Sequence, residues 1–351
     1  MDKSPLQQRA GNHSGLLLVD INVLGIGSMR QYVYRDRTHR GLATGALHGI
    51  VEKLADLIAH HPGHIPIALW DDRCHWREAL LPTYKRHRWE TPEQQAFLQA
   101  YLRQVEVARE LLVHLGISQV FCPGFEADDI ADAIVRTADA SRPIRLATTD
   151  ADWIQALRPN VDWYSVSTGL VVTHETLGDP DKVAGGPFLS VDHFVQAKAL
   201  AGDASDGIAG VDGVGVKTAA KIIREHGSVE ALWARHDAGE PIKGVALSRV
   251  AGPDYRDTYR RNLLMIDWRL APPLGPDISL DQGRLNLSEA RLICDAWGLP
   301  DAGTRYGALS TVALNPVVGS IKERLGRQHT IGDQLDADPC VAQSLPPSSH
   351  L

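Results

Sequence analysis

Gly15–Asp20 reads GLLLVD, a short apolar run closed by a carboxylate. An unbroken apolar stretch of that length reads as a parallel strand buried on both faces. The pattern returns twice, as IPIALWD at Ile65–Asp71 and IRLATTD at Ile144–Asp150. Val120–Phe121 and Val161–Val166 supply two further short strand-like runs. Helical patterns lie between them. One runs over 46–61 behind Thr44 as its cap, a long one runs from Pro92 to Leu115, and one is opened by Glu126-Ala127-Asp128-Asp129. Strands alternating with helices predict an α/β fold built on a parallel sheet. From about Ser190 the pattern turns helical, with helices expected over Tyr255–Trp268 and Leu287–Trp297.

In an open parallel sheet the carboxyl ends of the strands line one crevice, and ligands bind there. Asp20, Asp71 and Asp150 are therefore expected to converge. The segment GFEADD at 124–129 adds Glu126, Asp128 and Asp129, and Asp152, Asp203 and Asp206 complete a set of nine. One aspartate after a strand is ordinarily a turn or cap, and acids at a helix start are favoured by its dipole. Three such strands, and three crowded acids at one helix start, exceed what capping needs. Nine like charges in one place are strongly unfavourable without cations. A set of oxygen ligands selects hard ions, Mg²⁺ or Mn²⁺. Two such ions about 4 Å apart would clamp a phosphodiester, activating water and stabilising the leaving oxygen. No Ser/His/Asp nucleophile pattern competes, and the 15 histidines show no HExxH spacing.

A second stretch, GDASDGIAGVDGVGVKTAAKII at Gly202–Ile223, places Gly210, Gly213 and Gly215 just before Lys217, Thr218 and a helix. The glycines permit a tight hairpin whose N–H groups face an anion, and the helix dipole and Lys217 reinforce it. That is a phosphate grip of the helix–hairpin–helix kind. It is not a Walker A loop, because Val216 separates Gly215 from Lys217. The plain alternative is a glycine turn before an amphipathic helix. A basic, aromatic stretch, RCHWREALLPTYKRHR at 73–88, follows the strand that bears Asp71. Tyr84, Lys85, Arg86 and Arg88 read either as a solvated face or as the cationic half of the site. In the second reading Lys85 or Arg88 neutralises charge developing on the phosphate, and Trp76 and Tyr84 stack on bases.

The totals set outer bounds. A chain of 351 residues with a 44% hydrophobic share holds one large or two modest domains. Cys74, Cys122, Cys294 and Cys340 lack metal-site or disulfide spacing, which fits a reducing cytoplasmic setting. The polar start and the lack of a long apolar run predict neither a signal peptide nor a membrane span. A net charge of −7 is unusual for a nucleic-acid binder. Setting nine of the 43 acids aside leaves 34 against 36 Lys and Arg, a balance of about +2. The sum thus decides nothing about a nucleic-acid partner.

Together these residues resemble the 5′-nuclease family: flap endonucleases, the 5′-nuclease domain of bacterial DNA polymerase I and phage 5′–3′ exonucleases. The likeness runs from about Leu16 to Asn262, in family order. Asp20 matches the first-strand aspartate. WREALLPTYKRHR matches the arch-base motif and places Arg77, Tyr84, Lys85 and Arg88. GFEADDIADAI, TTDADWIQAL and KALAGDASDGIAGVDGVGVKTAAKII match the later motifs, the last including Lys198. There are departures. The step from Asp71 to Arg77 is about one residue short, so Asp71 or Asp72 fills the family position, Asp71 being preferred as the strand terminus. Gly207 and Ala209 stand where the family has Asn and Pro.

The resemblance implies a PIN-like parallel sheet flanked by helices over 15–189, with a helical arch over about 75–115. It implies a helix–three-turn–helix DNA-binding region within 190–325; polar composition reads as a disordered lead over 1–14 and a disordered tail over 326–351. It further implies two Mg²⁺ or Mn²⁺ ions on the nine carboxylates, and K⁺ on the hairpin carbonyls. Lys85 and Arg88 would act at the phosphate. Arg77, Tyr84, Arg86, Lys198, Gly213, Gly215, Lys217 and Thr218 would contact DNA. The implied partner is DNA with a 5′ flap or 5′ end, or an RNA–DNA hybrid, bound by a monomer in a bacterial or phage-infected cytoplasm. Two other readings exist. A PIN-like ribonuclease would not need the hairpin, and a non-catalytic DNA-binding descendant would lack carboxylates. Residues 263–351 carry no usable motif.

Overall fold

Asp20 ends a strand whose six residues are all buried, and the sheet is built outward from it. The computed structural model describes residues 15–179, 181–299 and Ile321, Arg324 and Leu325. The expected lead at 1–14 and tail at 326–351 lie outside the described residues. In chain order the sheet and its helices are β1 (Gly15–Asp20), α1 (Ile21–Arg30), α2 (Gly45–His60), β2 (His64–Trp70), α3 (His75–Leu80), α4 (Pro92–His114), β3 (Ser118–Phe121), α5 (Ala127–Thr137), β4 (Ile144–Thr148), β5 (Val161–Ser165) and β6 (Val171–Val172). The rest is α6 (Val191–Ala201), α7 (Val216–His226), α8 (Val229–Asp237), α9 (Val245–Ala251), α10 (Arg256–Ile266), β7 (Ser279–Asp281) and α11 (Leu287–Trp297).

The sheet order is β7-β3-β2-β1-β4-β5-β6. The five strands from β3 to β5 are parallel, and the two edge strands run antiparallel. Leu16 and Leu18 project into a core shared with α5 and α6, while Leu17 and Val19 project into one shared with α1, α2 and α4. That alternation is the two-residue period of a strand covered on both faces. The chain leaves β1 toward β2 and β3, then returns to the other side for β4 and β5. The order therefore reverses at β1, which opens a crevice at the carboxyl ends of β1 and β4.

Several local expectations need correction. Thr44 precedes α2, but its side chain makes no capping bond. Instead the buried Gln104 of α4 reaches across, its Oε1 accepting from Ala46 N (2.8 Å) and Leu47 N (3.2 Å). The helix start is buried, so its free N–H groups need a partner, and a side chain from another helix supplies it. The last parallel strand stops at Ser165, one residue before the expected end. The helix expected over Tyr255–Trp268 is α10, Arg256–Ile266. β7, which pairs its three residues with β3, gave no sequence signal because so short a run has no period to read.

In the second half, Ala219, Ala220, Ile222 and Ile223 of α7 are buried, and α7 packs on α6. The connection between them includes a two-residue antiparallel ladder of 202–203 with 208–209. Gly202 sits at φ +70°, and a Cβ on Gly210 would lie 2.2 Å from Ala201 O. Asn262 of α10 locks this turn by donating from Nδ2 to the carbonyls of Ala199 (3.0 Å) and Ala209 (2.8 Å). Among the described residues no helix is long and apolar enough to cross a membrane.

Candidate active site

The crevice is a cavity of about 590 Å³. Asp20, Asp71, Glu126, Asp128, Asp150, Asp152, Asp203 and Asp206 line it, with Lys85 and Arg88 on the same wall. They come from the ends of β1, β2 and β4, the start of α5 and the turn after α6. Eight of the nine expected acids thus share one space.

Asp20 caps α1, accepting from Val23 N at 3.1 Å, and its other oxygen accepts from Thr148 Oγ1 at 2.8 Å. Burial, and next the charge of Asp71, push its carboxyl up to about 8. Asp71 accepts from Ala127 N at 2.7 Å and from Asn22 Nδ2 at 2.7 Å. Asp72 turns away from the cavity and accepts from Gly124 N at 2.9 Å. Asp150 Oδ1 accepts from Asp152 N at 2.9 Å, which folds the loop so that both carboxylates face the cavity. Burial raises Asp128 well above the ordinary carboxylate range, against the pull of Arg77.

Four buried or half-buried cations balance the acids. Arg77 is 3% exposed. It contacts Glu126 (2.8 Å), Asp128 (3.3 Å) and both oxygens of Asp129 (3.0 and 3.1 Å). Lys85 Nζ lies 2.5 Å from Glu126 and 3.7 Å from Asp206. Lys198 Nζ bridges Asp152 and Asp203 at 2.9 Å each. Burial alone would lower the Lys85 ammonium, but Glu126 and Asp206 overcome it and hold it above its ordinary value. Burial opposes the Lys198 ammonium in the same way, and Asp152 and Asp203 prevail. Arg88 donates to Asp206 Oδ1 at 2.5 Å and to Ser205 O at 2.9 Å.

The geometry sets four of the expected site residues apart from the others. Asp129 does not reach the cavity: its carboxylate is spent on Arg77 and on Glu126 N (3.1 Å), the capping role weighed for this acid. Arg77 is sealed under the Trp76 ring, 4.4 Å from its centroid, and cannot touch a polymer outside. Tyr84 is 6% exposed, with its hydroxyl on Glu126 (2.8 Å) and Asp206 (3.2 Å), so its ring cannot stack on a base. Lys198 holds two cavity carboxylates together and does not lie on an outer face. By contrast Arg86, Gly213, Gly215 and Lys217 are exposed, and Thr218 is half-buried. Gly213 takes φ +75°, which a side chain would strain. Arg249 fastens the hairpin by donating to Asp212 O at 2.7 Å.

Sequence reading missed Asn22, Tyr101, Thr148 and Asn262. Their signal is faint, since each acts through a contact 49 to 128 residues away. Lys85 also has an unusual backbone, left-handed at φ +52°, and its N–H donates to Asp206 O at 2.8 Å. That bond joins the basic segment to the turn after α6.

A divalent cation would meet only oxygen ligands here. Among the described residues no three of these groups close on one point as they stand. Arg77, Lys85, Arg88 and Lys198 supply countercharge to these acids. Burial first, and then the charge of Asp71, raise Asp20 to about 8; a buried all-oxygen set of this kind is one that a hard cation would relieve, so the donor chemistry fits one.

An acidic crevice at the switch point of a parallel sheet, joined through a turn to a glycine hairpin, defines an α/β phosphodiester-nuclease architecture. The family described as 5′–3′ exonuclease, N-terminal resolvase-like domain, matches residues 15–184, and the 5′–3′ exonuclease C-terminal SAM fold matches residues 189–253. The chain belongs to the 5′–3′ exonuclease family. DNA polymerase I of Mycobacterium tuberculosis H37Rv is 32% identical over 253 residues, 70% of this chain and 27% of that one. The chain thus spans about a quarter of the length of the polymerases it matches. A 5′–3′ exonuclease of the same organism is 28% identical over 288 residues, 78% of this chain and 87% of that one. The bacteriophage T5 flap endonuclease, solved with DNA and metal ions, superimposes with a TM-score of 0.60 at 22% identity. The match covers 89% of this chain and 99% of that one.

Proposed function

We propose that this chain is a divalent-metal-dependent 5′–3′ exonuclease and flap endonuclease that hydrolyses DNA phosphodiesters near 5′ ends and single-strand/duplex junctions. The observation that carries the reading is the convergence of eight carboxylates from five segments on one cavity that also holds Lys85 and Arg88. Two Mg²⁺ or Mn²⁺ ions would be held among Asp20, Asp71, Glu126, Asp128, Asp150, Asp152, Asp203 and Asp206. When bound, they supply an activated water and charge stabilisation at the phosphate. The chain's own part is positioning. Lys85 and Arg88, now on Glu126 and Asp206, turn to the scissile phosphate and neutralise its developing charge. Segment 75–115 covers the 5′ strand as an arch. The hairpin at 210–218 grips the duplex through backbone N–H groups and Lys217, its carbonyls are the groups that would hold K⁺, and Arg86 adds a phosphate contact. The proposal extends to an RNA–DNA hybrid as substrate and to a monomeric enzyme acting in the cytoplasm.

The test uses end-labelled 5′-flap, blunt-duplex and RNA-primed substrates, with Mg²⁺ and with chelator. Cleavage that needs Mg²⁺ and disappears in Asp128→Ala, while DNA binding persists, is expected. Undiminished turnover in Asp128→Ala refutes the site.

A further inference from the structure

Asp71 is held from two sides. One oxygen takes the N–H of Ala127, at the start of α5, and the other takes the amide of Asn22 on α1. A carboxylate only accepts, so Asn22 must turn its N–H₂ toward Asp71. That leaves the Asn22 carbonyl facing the other way, where Tyr101 of α4 donates its hydroxyl at 2.7 Å. The Tyr101 ring is 2% exposed. It lies against α1 at Gly25, where an added Cβ would stand 2.7 Å from the ring. Asn22 and Gly25 are three apart and share one face of α1. Gly25 therefore admits the ring, and Asn22 receives the hydroxyl that the ring carries. Both contacts seat one side chain of α4 against the face of α1 that carries Asn22.

Building on the nuclease reading above, we propose that Asn22 and Tyr101 are positioning residues that orient Asp71 toward a divalent cation. Tyr101 fixes the amide of Asn22, and Asn22 fixes the carboxylate. A free aspartate samples several rotamers, whereas one held at both oxygens presents its remaining lone pairs in one direction. Outer partners of this kind typically change metal affinity or activity by about 10- to 100-fold. Because Tyr101 belongs to the helix that follows the basic stretch 73–88, the relay also registers the position of α4 at the site.

The experiment is Mg²⁺ titration calorimetry without DNA on the full chain, for the parent, Tyr101→Phe, Asn22→Ala and the double variant. Melting in chelator and flap cleavage are measured alongside. Tyr101→Phe keeps the ring and its packing, so its chelator melting point is expected to stay at the parent value. Its Mg²⁺ affinity is expected to fall about 10-fold. The double variant is expected to fall no further than Asn22→Ala, since the pair acts in series. Parent-like Mg²⁺ affinity in Tyr101→Phe and Asn22→Ala overturns the relay. So does additive loss in the double variant, or a lowered chelator melting point with affinity retained. If the parent itself takes up no Mg²⁺, the metal-dependent reading fails instead, so the two failures are distinguishable.

Discussion

Arg77 shows what a residue's name leaves out. Its spacing to Tyr84 and Lys85 marks it as part of a basic motif, and a basic residue beside an acidic crevice reads as a phosphate contact. In the fold it is walled in, and its guanidinium is shared by Glu126, Asp128 and Asp129. Which way a side chain faces depends on α3 lying against α5, and no local pattern encodes that. Removing the guanidinium strands three buried acids, so Arg77→Met is expected to cost about 3–5 kcal/mol in urea unfolding with chelator. A loss under about 1 kcal/mol would deny it this role. The acids themselves were far more legible, because strand ends in a parallel sheet face one crevice. Asp129 was the exception, since capping and ligation call for the same residue type at the same place. His61 tests the charge reasoning far from the site. Its Nδ1 accepts from Arg145 Nη1 at 3.0 Å, which requires the neutral ring. Burial, then the Arg145 charge, lower it from 6.5 to about 4. Between those values the unfolded chain binds the proton and the folded one does not, so stability falls as pH drops from about 6.5 to about 4. His61→Phe should flatten that limb, read from melting points across the range; an unchanged limb argues against it.

At the level of elements, strands and helices were readable wherever a period ran long enough. The apolar runs of β1, β2 and β4 and the helical spacing of α4 and α11 stand out in the chain. What the sequence hid were partners. Gln104 caps α2 from 57 and 58 positions away, so Thr44 looked like the cap because only near neighbours are visible in a sequence. β7 exists because β3 offers it a free edge. The hairpin before α7 was legible because glycine at Gly202, Gly210 and Gly213 answers a backbone need that no other residue meets. Lys217 stands exposed at the start of α7. Lys217→Ala is expected to weaken duplex binding at every sequence tested and to reduce the salt slope of log K by about 1. An unchanged slope would remove Lys217 from the interface.

Over the whole molecule, the order reversal at β1 gathers carboxylates spaced from Asp20 to Asp206 into one cavity. Four cations set among them, Arg77, Lys85, Arg88 and Lys198, pair with these acids. That arrangement stores repulsion which a hard cation would release, and a ligand bound only by the native state raises its stability. The direct measurement is the melting temperature with Mg²⁺ and with chelator, for the parent and for Asp150→Asn. The parent is expected to melt higher in Mg²⁺. Asp150→Asn is expected to melt above the parent in chelator, having one charge fewer to repel, and to gain little from Mg²⁺. A parent whose melting point ignores Mg²⁺, or an Asp150→Asn variant with the parent's full Mg²⁺ response, would contradict the account.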